Sequence, residues 1–175
     1  MIKEIERKFL LWENGRAFYT KEIVKYVTFE SLRHDTLKYG SRIRQGYLPI
    51  AKGKELTDKL MTLTFEPSEI RLRSISEKFY LTVKSDGALS REELETELKK
   101  VEFDKYWPET KGKRVEKVRS KKPFNELCLE FDVYLDRDLM ICEAEFANEE
   151  LAKAFESLGL DVTENKKYKN KNLAK

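Results

Sequence analysis

The sequence predicts an α+β fold in which about eight antiparallel strands close into a β-barrel, with helices packed outside. Three observations carry this expectation. Strand-like segments recur along the whole chain with turn signals between them. Nearly every one of them alternates ionic and apolar side chains, so each has one charged face. The charges are also segregated by sign: the first strand and the last two supply carboxylates, and the strands between supply arginine and lysine. An open antiparallel sheet wetted on one face would also alternate, but it would mix signs and use Thr, Ser, Gln and Asn, which are scarce at these positions. In a barrel the charges face a hydrated interior. Each buried ion there costs on the order of several kcal/mol unless water, opposite charge or a ligand compensates it.

Residues 2–11, IKEIERKFLL, read as the first strand, with Glu4, Glu6 and Lys8 on one face and Ile5 and Phe9 on the other. Residues 15–35 hold a helix without sharp bounds. SRIRQGYL, 41–48, is a strand with Arg42 and Arg44 opposite Ile43 and Tyr47, and an excursion runs from Pro49 to Pro67. EIRLRSI, 69–75, and KFYLTVKS, 78–85, are strands joined near Ser76. The first sets Arg71 and Arg73 against Ile70 and Leu72; the second sets Tyr80, Thr82 and Lys84 against Phe79, Leu81 and Val83. After the turn DGALS, the glutamates of REELETEL, 91–98, would suit a helix. Because Glu93, Glu95 and Glu97 alternate with Leu94, Thr96 and Leu98, it is read as a strand.

Residues 99–108 are helical and stop at Trp107, before Pro108. Three more strands follow. KRVEKVRSK, 113–121, puts Lys117 and Arg119 with Val115; ELCLEFDVYL, 126–135, carries Glu130 and Asp132; LMICEAEF, 139–146, carries Glu143 and Glu145. NEELAKAFESLG, 148–159, is a helix with Asn148 as N-cap and Gly159 as its stop. The tail, TENKKYKNKNLAK, is basic and polar. No repeat or long linker divides the chain, so residues 1–175 are read as one domain.

Composition narrows the function classes. The 35 basic and 32 acidic residues leave a net charge of only +3, too little for long-range attraction to nucleic acid or an anionic membrane. No nucleic-acid recognition motif and no long apolar run is present. Cys128 and Cys142 lie in strand-like segments and read as free thiols of a cytoplasmic protein. With His34 they are too few for a tetrahedral metal site. The charged faces are more informative. Clustered carboxylates suit Mg²⁺ or Mn²⁺, while converging Arg and Lys suit phosphate oxygens. A metal-bound polyphosphate meets both demands.

The segments EIERKFL, RQGYL, EIRLR, LTVKS, LSREELE, KRVEKVR, LEFDVY, CEAEF and VTENKKYKN occur in the order in which short bacterial members of the CYTH superfamily carry similar segments. Glu4, Glu6 and Lys8 supply that family's ExExK signature. The chain thus resembles the triphosphate tunnel metalloenzymes over most of its length. Residues 16–40 and 49–67 are the poor fits, and 49–67 has the character of an insertion. The resemblance implies an eight-stranded antiparallel tunnel that binds triphosphate with a divalent metal, Mg²⁺ or Mn²⁺. It implies metal ligation by Glu4, Glu6, Glu130, Asp132, Glu143 and Glu145. Phosphate contacts would come from Lys8, Arg42, Arg44, Arg71, Arg73, Lys84, Lys117 and Arg119, and the chemistry from Lys84 and Tyr47. Lys167, beside Tyr168, falls in a terminal segment that either closes one end and meets substrate or stays a solvated basic end.

The reaction implied is in-line hydrolysis of a phosphoanhydride with no Ser, Cys or His nucleophile. One metal ion would neutralise phosphate charge, and a second, held by the acidic strands, would position and acidify a water. The resemblance thus implies a Mg²⁺-dependent triphosphatase, with inorganic tripolyphosphate as the expected substrate. Other members of the superfamily cyclise ATP, as class IV-type adenylate cyclases do, or hydrolyse nucleoside or thiamine triphosphates. Those activities need a base or thiazole pocket built by Tyr47, Trp12 or the 49–67 excursion. A non-catalytic polyphosphate-binding module is the alternative of another class, and so many acids near its phosphates would weaken it. The expected partner is a small-molecule triphosphate, with no nucleic acid and no membrane. Oligomeric state is left open, a homodimer being one option.

Overall fold

The computed structural model describes residues 2–25 and 27–175. Its strands are β1 (Ile2–Glu13), β2 (Arg16–Ala17), β3 (Ser41–Tyr47), β4 (Glu69–Ile75), β5 (Lys78–Lys84), β6 (Ser90–Leu98), β7 (Arg114–Phe124), β8 (Leu127–Tyr134), β9 (Leu139–Glu145) and β10 (Leu160–Asp161). Its helices are α1 (Lys21–Val24), α2 (Phe29–Tyr39), α3 (Ile50–Leu60), α4 (Lys100–Tyr106), α5 (Glu149–Ala154) and α6 (Asn170–Leu173). Hydrogen-bonded neighbours follow the order β10-β1-β6-β5-β4-β3-β7-β8-β9, and β9 also pairs with β1. The eight long strands therefore form a closed antiparallel order, the α+β barrel class that the alternating pattern predicts. Backbone packing divides the chain into two compact units. One holds the residues up to Glu4, Ile43–Val115 and Lys167–Lys175; the other holds Ile5–Arg42 and Glu116–Lys166.

The first unit is built on the β3-β4-β5-β6 meander. Ser76, at φ 54°, makes the tight connection between β4 and β5. Ile70, Leu72, Leu81 and Val83 form the apolar face, covered by Leu48, by Leu56 of α3 and by Phe103 and Tyr106 of α4. The excursion after Pro49 thus folds into a helix with a packing task. Gly53 lets α3 lie directly on β4, since a Cβ there would stand 2.6 Å from Ile70. α4 ends one residue before the expected stop and continues as a 3₁₀ turn, Trp107–Thr110. The terminal segment is not a solvated end. Tyr168 and Leu173 are buried, and Arg114 and Lys175 exchange backbone hydrogen bonds of 2.9 Å each.

The second unit is built on β7-β8-β9-β1, with β2 and β10 added along β1. Asn125, at φ 54°, turns β7 into β8. Phe9, Leu129, Phe131, Val133, Met140, Cys142 and Ala144 are buried on the apolar face. Asn148 caps α5, its side chain accepting from the Leu151 N–H at 2.8 Å. The helix, however, stops at Phe155 and not at Gly159. The Phe155 ring turns into a cluster with Phe9, Phe124 and Phe146, and Arg7 donates to the Ala152 and Phe155 carbonyls at 2.8 and 2.6 Å. The last-turn carbonyls are satisfied by a side chain, and no glycine cap is needed. Among the described residues no helix is long and apolar enough to cross a membrane.

Candidate active site

Directly paired residues of antiparallel strands share a face, so the polar face of the first unit follows from register. Across β4, β5 and β6 its rungs are Glu69, Lys84 and Glu93; then Arg71, Thr82 and Glu95, with Tyr47 of β3; then Arg73, Tyr80 and Glu97, with Gln45 of β3. Lys84 is buried and donates to both carboxylate oxygens of Glu4, at 2.8 and 2.9 Å, while Arg91 Nε donates to Glu4 at 2.7 Å. Lys84 also pairs with Glu93 at 2.6 Å. Burial alone would raise the Glu4 carboxyl, but Lys84 and Arg91 overcome it and hold the pKa at about 2. Glu93 moves the other way: burial and the charge of Glu4 push it up against the pull of Lys84.

Along the same face Arg71 is buried and its Nε has no hydrogen-bond partner, a donor the fold leaves for something else to accept. Burial would lower its pKa, yet Tyr47, Glu69, Glu93 and Glu95 together raise it. Gln45 donates to the Tyr47 hydroxyl at 2.7 Å. Burial, helped by Glu69, pushes the Tyr47 phenol up, so it stays protonated.

In the second unit the polar face brings together Glu6 and Lys8 of β1, Glu143 and Glu145 of β9, Glu130 and Asp132 of β8, and Lys117 and Arg119 of β7. Lys8 pairs with Glu143 at 2.8 Å. Asp132 is fully buried and held at both oxygens, by Arg119 Nε at 2.6 Å and by Lys117 at 2.5 Å. Arg119 also reaches Glu130 and Glu143. Burial would raise the Glu143 carboxyl, but Lys8, Lys117 and Arg119 keep it well below the usual range. Burial would lower the Arg119 pKa, but Asp132 and Glu143 lift it well above. Lys117 is the exception, since burial and the charge of Arg119 outweigh its carboxylate partners and lower its pKa.

The expected site residues therefore separate. Arg71, Arg73 and Lys84 lie together with Tyr47 on one polar face, and Lys8, Lys117 and Arg119 lie on the other. Arg42 and Arg44 do not belong with them: Arg44 pairs in register with Ser74, on the opposite face of β3 from Gln45 and Tyr47. Arg44 lies over the Trp107 ring at 4.9 Å, and the exposed Arg42 pairs with Glu116 at 2.6 Å. The outward parity has room for Gly46 against Thr110, where a Cβ would stand 2.5 Å away, so the glycine side of the strand faces out and the arginines go with it. Lys167 is exposed, its ammonium 3.2 Å from the Tyr168 hydroxyl. Gln45, Glu69, Thr82, Arg91, Glu93 and Glu95 belong to the polar face of the first unit without having been named as site residues from the sequence; parity was the available signal for Thr82 within KFYLTVKS and for Arg91, Glu93 and Glu95 within REELETEL.

Of the six expected metal ligands, Glu4, Glu6 and Glu145 are brought together. Glu6 stands opposite Glu145 in the β1–β9 register, and Glu4 lies two residues earlier on the same strand. Each offers a carboxylate oxygen, and these lie within 4.8 Å of one another. Hard oxygen donors at this spacing fit a divalent cation such as Mg²⁺. Glu130, Asp132 and Glu143 pair with lysine and arginine, as Glu4 does with Lys84 and Arg91; what sets Glu4, Glu6 and Glu145 apart is the spacing of their oxygens. Cys142 offers no nucleophile, since it lies on the apolar face with its pKa pushed well up by burial and by Glu143. His34 is exposed on α2.

No family model matches the chain. It is 36% identical to an inorganic triphosphatase of Nitrosomonas europaea, in an alignment that covers 98% of this chain and 96% of that protein. The crystal structure of an inorganic triphosphatase superposes with a TM-score of 0.56 at 31% identity, covering 99% of this chain and 95% of the other. A putative adenylate cyclase of Bacillus halodurans shares the fold, with a TM-score of 0.52 at 21% identity over 87% and 86% of the two chains. Similarity of this extent, joined to a carboxylate cluster on the first strand and arginines on β4, leads to one assignment: the chain belongs to the inorganic triphosphatases of the CYTH superfamily, the triphosphate tunnel metalloenzymes.

Proposed function

We propose that this protein hydrolyses inorganic tripolyphosphate to pyrophosphate and orthophosphate with Mg²⁺ or Mn²⁺ as its cofactor. The observation that carries the reading is the approach of the Glu4, Glu6 and Glu145 carboxylates to within 4.8 Å, an arrangement of like charges that a divalent cation would stabilise. When bound, that cation supplies Lewis-acid neutralisation of phosphate charge. The protein's own residues do the rest. Arg71 and Arg73 offer guanidinium donors to phosphate oxygens, and Lys84 adds a point charge where negative charge develops on the leaving group. The protonated Tyr47 donates a hydrogen bond from beside Arg71. Water attacks the terminal phosphorus in line with the departing bridging oxygen, with no covalent intermediate.

An inorganic substrate is favoured over one with an organic group because the nominated base-binding residues are occupied elsewhere. Trp12 donates to Asp138 at 2.9 Å and stacks on Phe29 at 5.4 Å. Tyr47 is buried among polar groups, and the 49–67 excursion packs behind β4. Orthophosphate release from tripolyphosphate, ATP and thiamine triphosphate, each with Mg²⁺ and with chelator, tests the proposal. Release from tripolyphosphate that requires the metal and exceeds that from the other two supports it; equal release in chelator would overturn it.

A further inference from the structure

The donors of β4 and β5 converge on a single carboxylate. Arg73 Nη2 donates to both oxygens of Glu95, at 2.8 and 2.9 Å. Thr82, fully buried, donates its hydroxyl to Oε2 of Glu95 at 2.6 Å. Arg71 Nη2 lies 3.9 Å from that same oxygen and donates to the Thr82 hydroxyl at 3.1 Å. Two guanidinium groups and a hydroxyl directed at one pair of oxygens make an oxyanion receptor, and a guanidinium donates to phosphate oxygens with the same fork geometry as to a carboxylate's. The occupant is more accessible to solvent than the receptor: the Arg71 side chain is 9% exposed and the Glu95 side chain 29%.

We infer that Glu95 is a specificity-determining residue, occupying a phosphate subsite in the free protein so that only a ligand with enough phosphate groups displaces it. The inference rests on the tripolyphosphate reading and deepens it. A triphosphate keeps contacts along the face, at Lys84 and at the Arg71 Nε, while it competes for Arg73 and Thr82. Orthophosphate and pyrophosphate have fewer oxygens to offer and gain less elsewhere, so the internal carboxylate excludes them. Glu95 thereby separates substrate from products and clears the products after turnover. If Glu95 served only to orient the arginines, its loss would weaken every anion.

Glu95→Gln keeps the side-chain shape and an acceptor for Thr82 and Arg73 while removing the charge. In calorimetric titration without metal, pyrophosphate should bind Glu95→Gln about tenfold or more tighter than wild type, and tripolyphosphate should gain less, so that the ratio between them falls. Glu95→Ala should move pyrophosphate in the same direction. Glu97→Gln, one rung along the same face and exposed, should change neither by more than about twofold. Unchanged or weaker pyrophosphate binding by Glu95→Gln overturns the inference, as does equal tightening by Glu97→Gln, which would reduce the effect to net charge. Wild-type turnover of tripolyphosphate, measured alongside, separates the two readings: its absence refutes the proposed activity, whereas turnover with no tightening refutes the role of Glu95.

Discussion

Lys84 holds Glu4 by both carboxylate oxygens, at 2.8 and 2.9 Å, and this pair couples the stability of the site to pH. The Glu4 pKa of about 2 lies below its ordinary 4.5. A carboxyl with a depressed folded-state pKa contributes stability above its unfolded value and loses that contribution as pH falls toward its folded value. The contribution is on the order of a few kcal/mol. Lys84→Met should therefore be less stable than wild type at pH 7, and the gap should narrow as pH drops from about 4.5 to about 2. Urea unfolding at a series of pH values measures it. A gap independent of pH would show that Lys84 acts through packing alone.

The metal ligands are tested by charge removal without change of shape. Glu6→Gln and Glu145→Gln should each lower metal-dependent turnover by at least about a hundredfold while leaving near-ultraviolet circular dichroism unchanged, because each takes one anionic oxygen from a three-carboxylate set. Calorimetric titration with Mn²⁺ should show the same loss of affinity. Full turnover in both variants would remove these residues from the site.

The two kinds of arginine should behave oppositely. Arg71→Lys replaces a buried planar fork with a point charge and should raise KM by about tenfold or more. Arg42→Ala removes an exposed partner of Glu116 and should leave kcat/KM within about twofold, as expected of a surface pair. Arg44→Ala forfeits the contact with Trp107, a stability effect of about 0.5–1 kcal/mol, with KM unaffected. Steady-state kinetics on the three variants decides whether the inward parity of β3 belongs to Gln45 and Tyr47.

The case of β3 shows where the sequence was legible. EIRLRSI and KFYLTVKS alternate cleanly, and β4 follows its expected bounds while β5 ends one residue before the segment does. In SRIRQGY both parities carry polar groups, so alternation cannot say which face is ionic; the packing of Trp107 on Arg44 and of Thr110 on Gly46 decides it, and neither neighbour is local in sequence. Sign was misleading in a related way. The glutamates of β6 are matched by cations of nearby strands, Glu93 standing in register against Lys84 of β5 and Glu95 pairing with Arg73 of β4, so charges are compensated between nearby strands as well as between distant ones. The acids of β8 are likewise matched by Lys117 and Arg119 on the adjacent strand.

Gly159 supplies a stability test of the same kind. As a helix stop it would tolerate alanine at a cost of roughly 1 kcal/mol, the ordinary difference between the two residues at a left-handed cap. In the structure α5 has already ended at Phe155, and Gly159 instead lets the chain pass beside β1: a Cβ would stand 2.3 Å from the Leu10 carbonyl oxygen. Backbone on both sides leaves no flexible side chain to give way, so Gly159→Ala must move β1 or the segment leading into β10, which pairs with Phe9 and Leu10. The expected loss in urea unfolding is about 2 kcal/mol or more, with Glu4, Glu6 and Lys8 lying on the displaced strand. Turnover should then fall together with stability, whereas a loss near 1 kcal/mol with full activity would restore Gly159 to the role of a simple helix terminator.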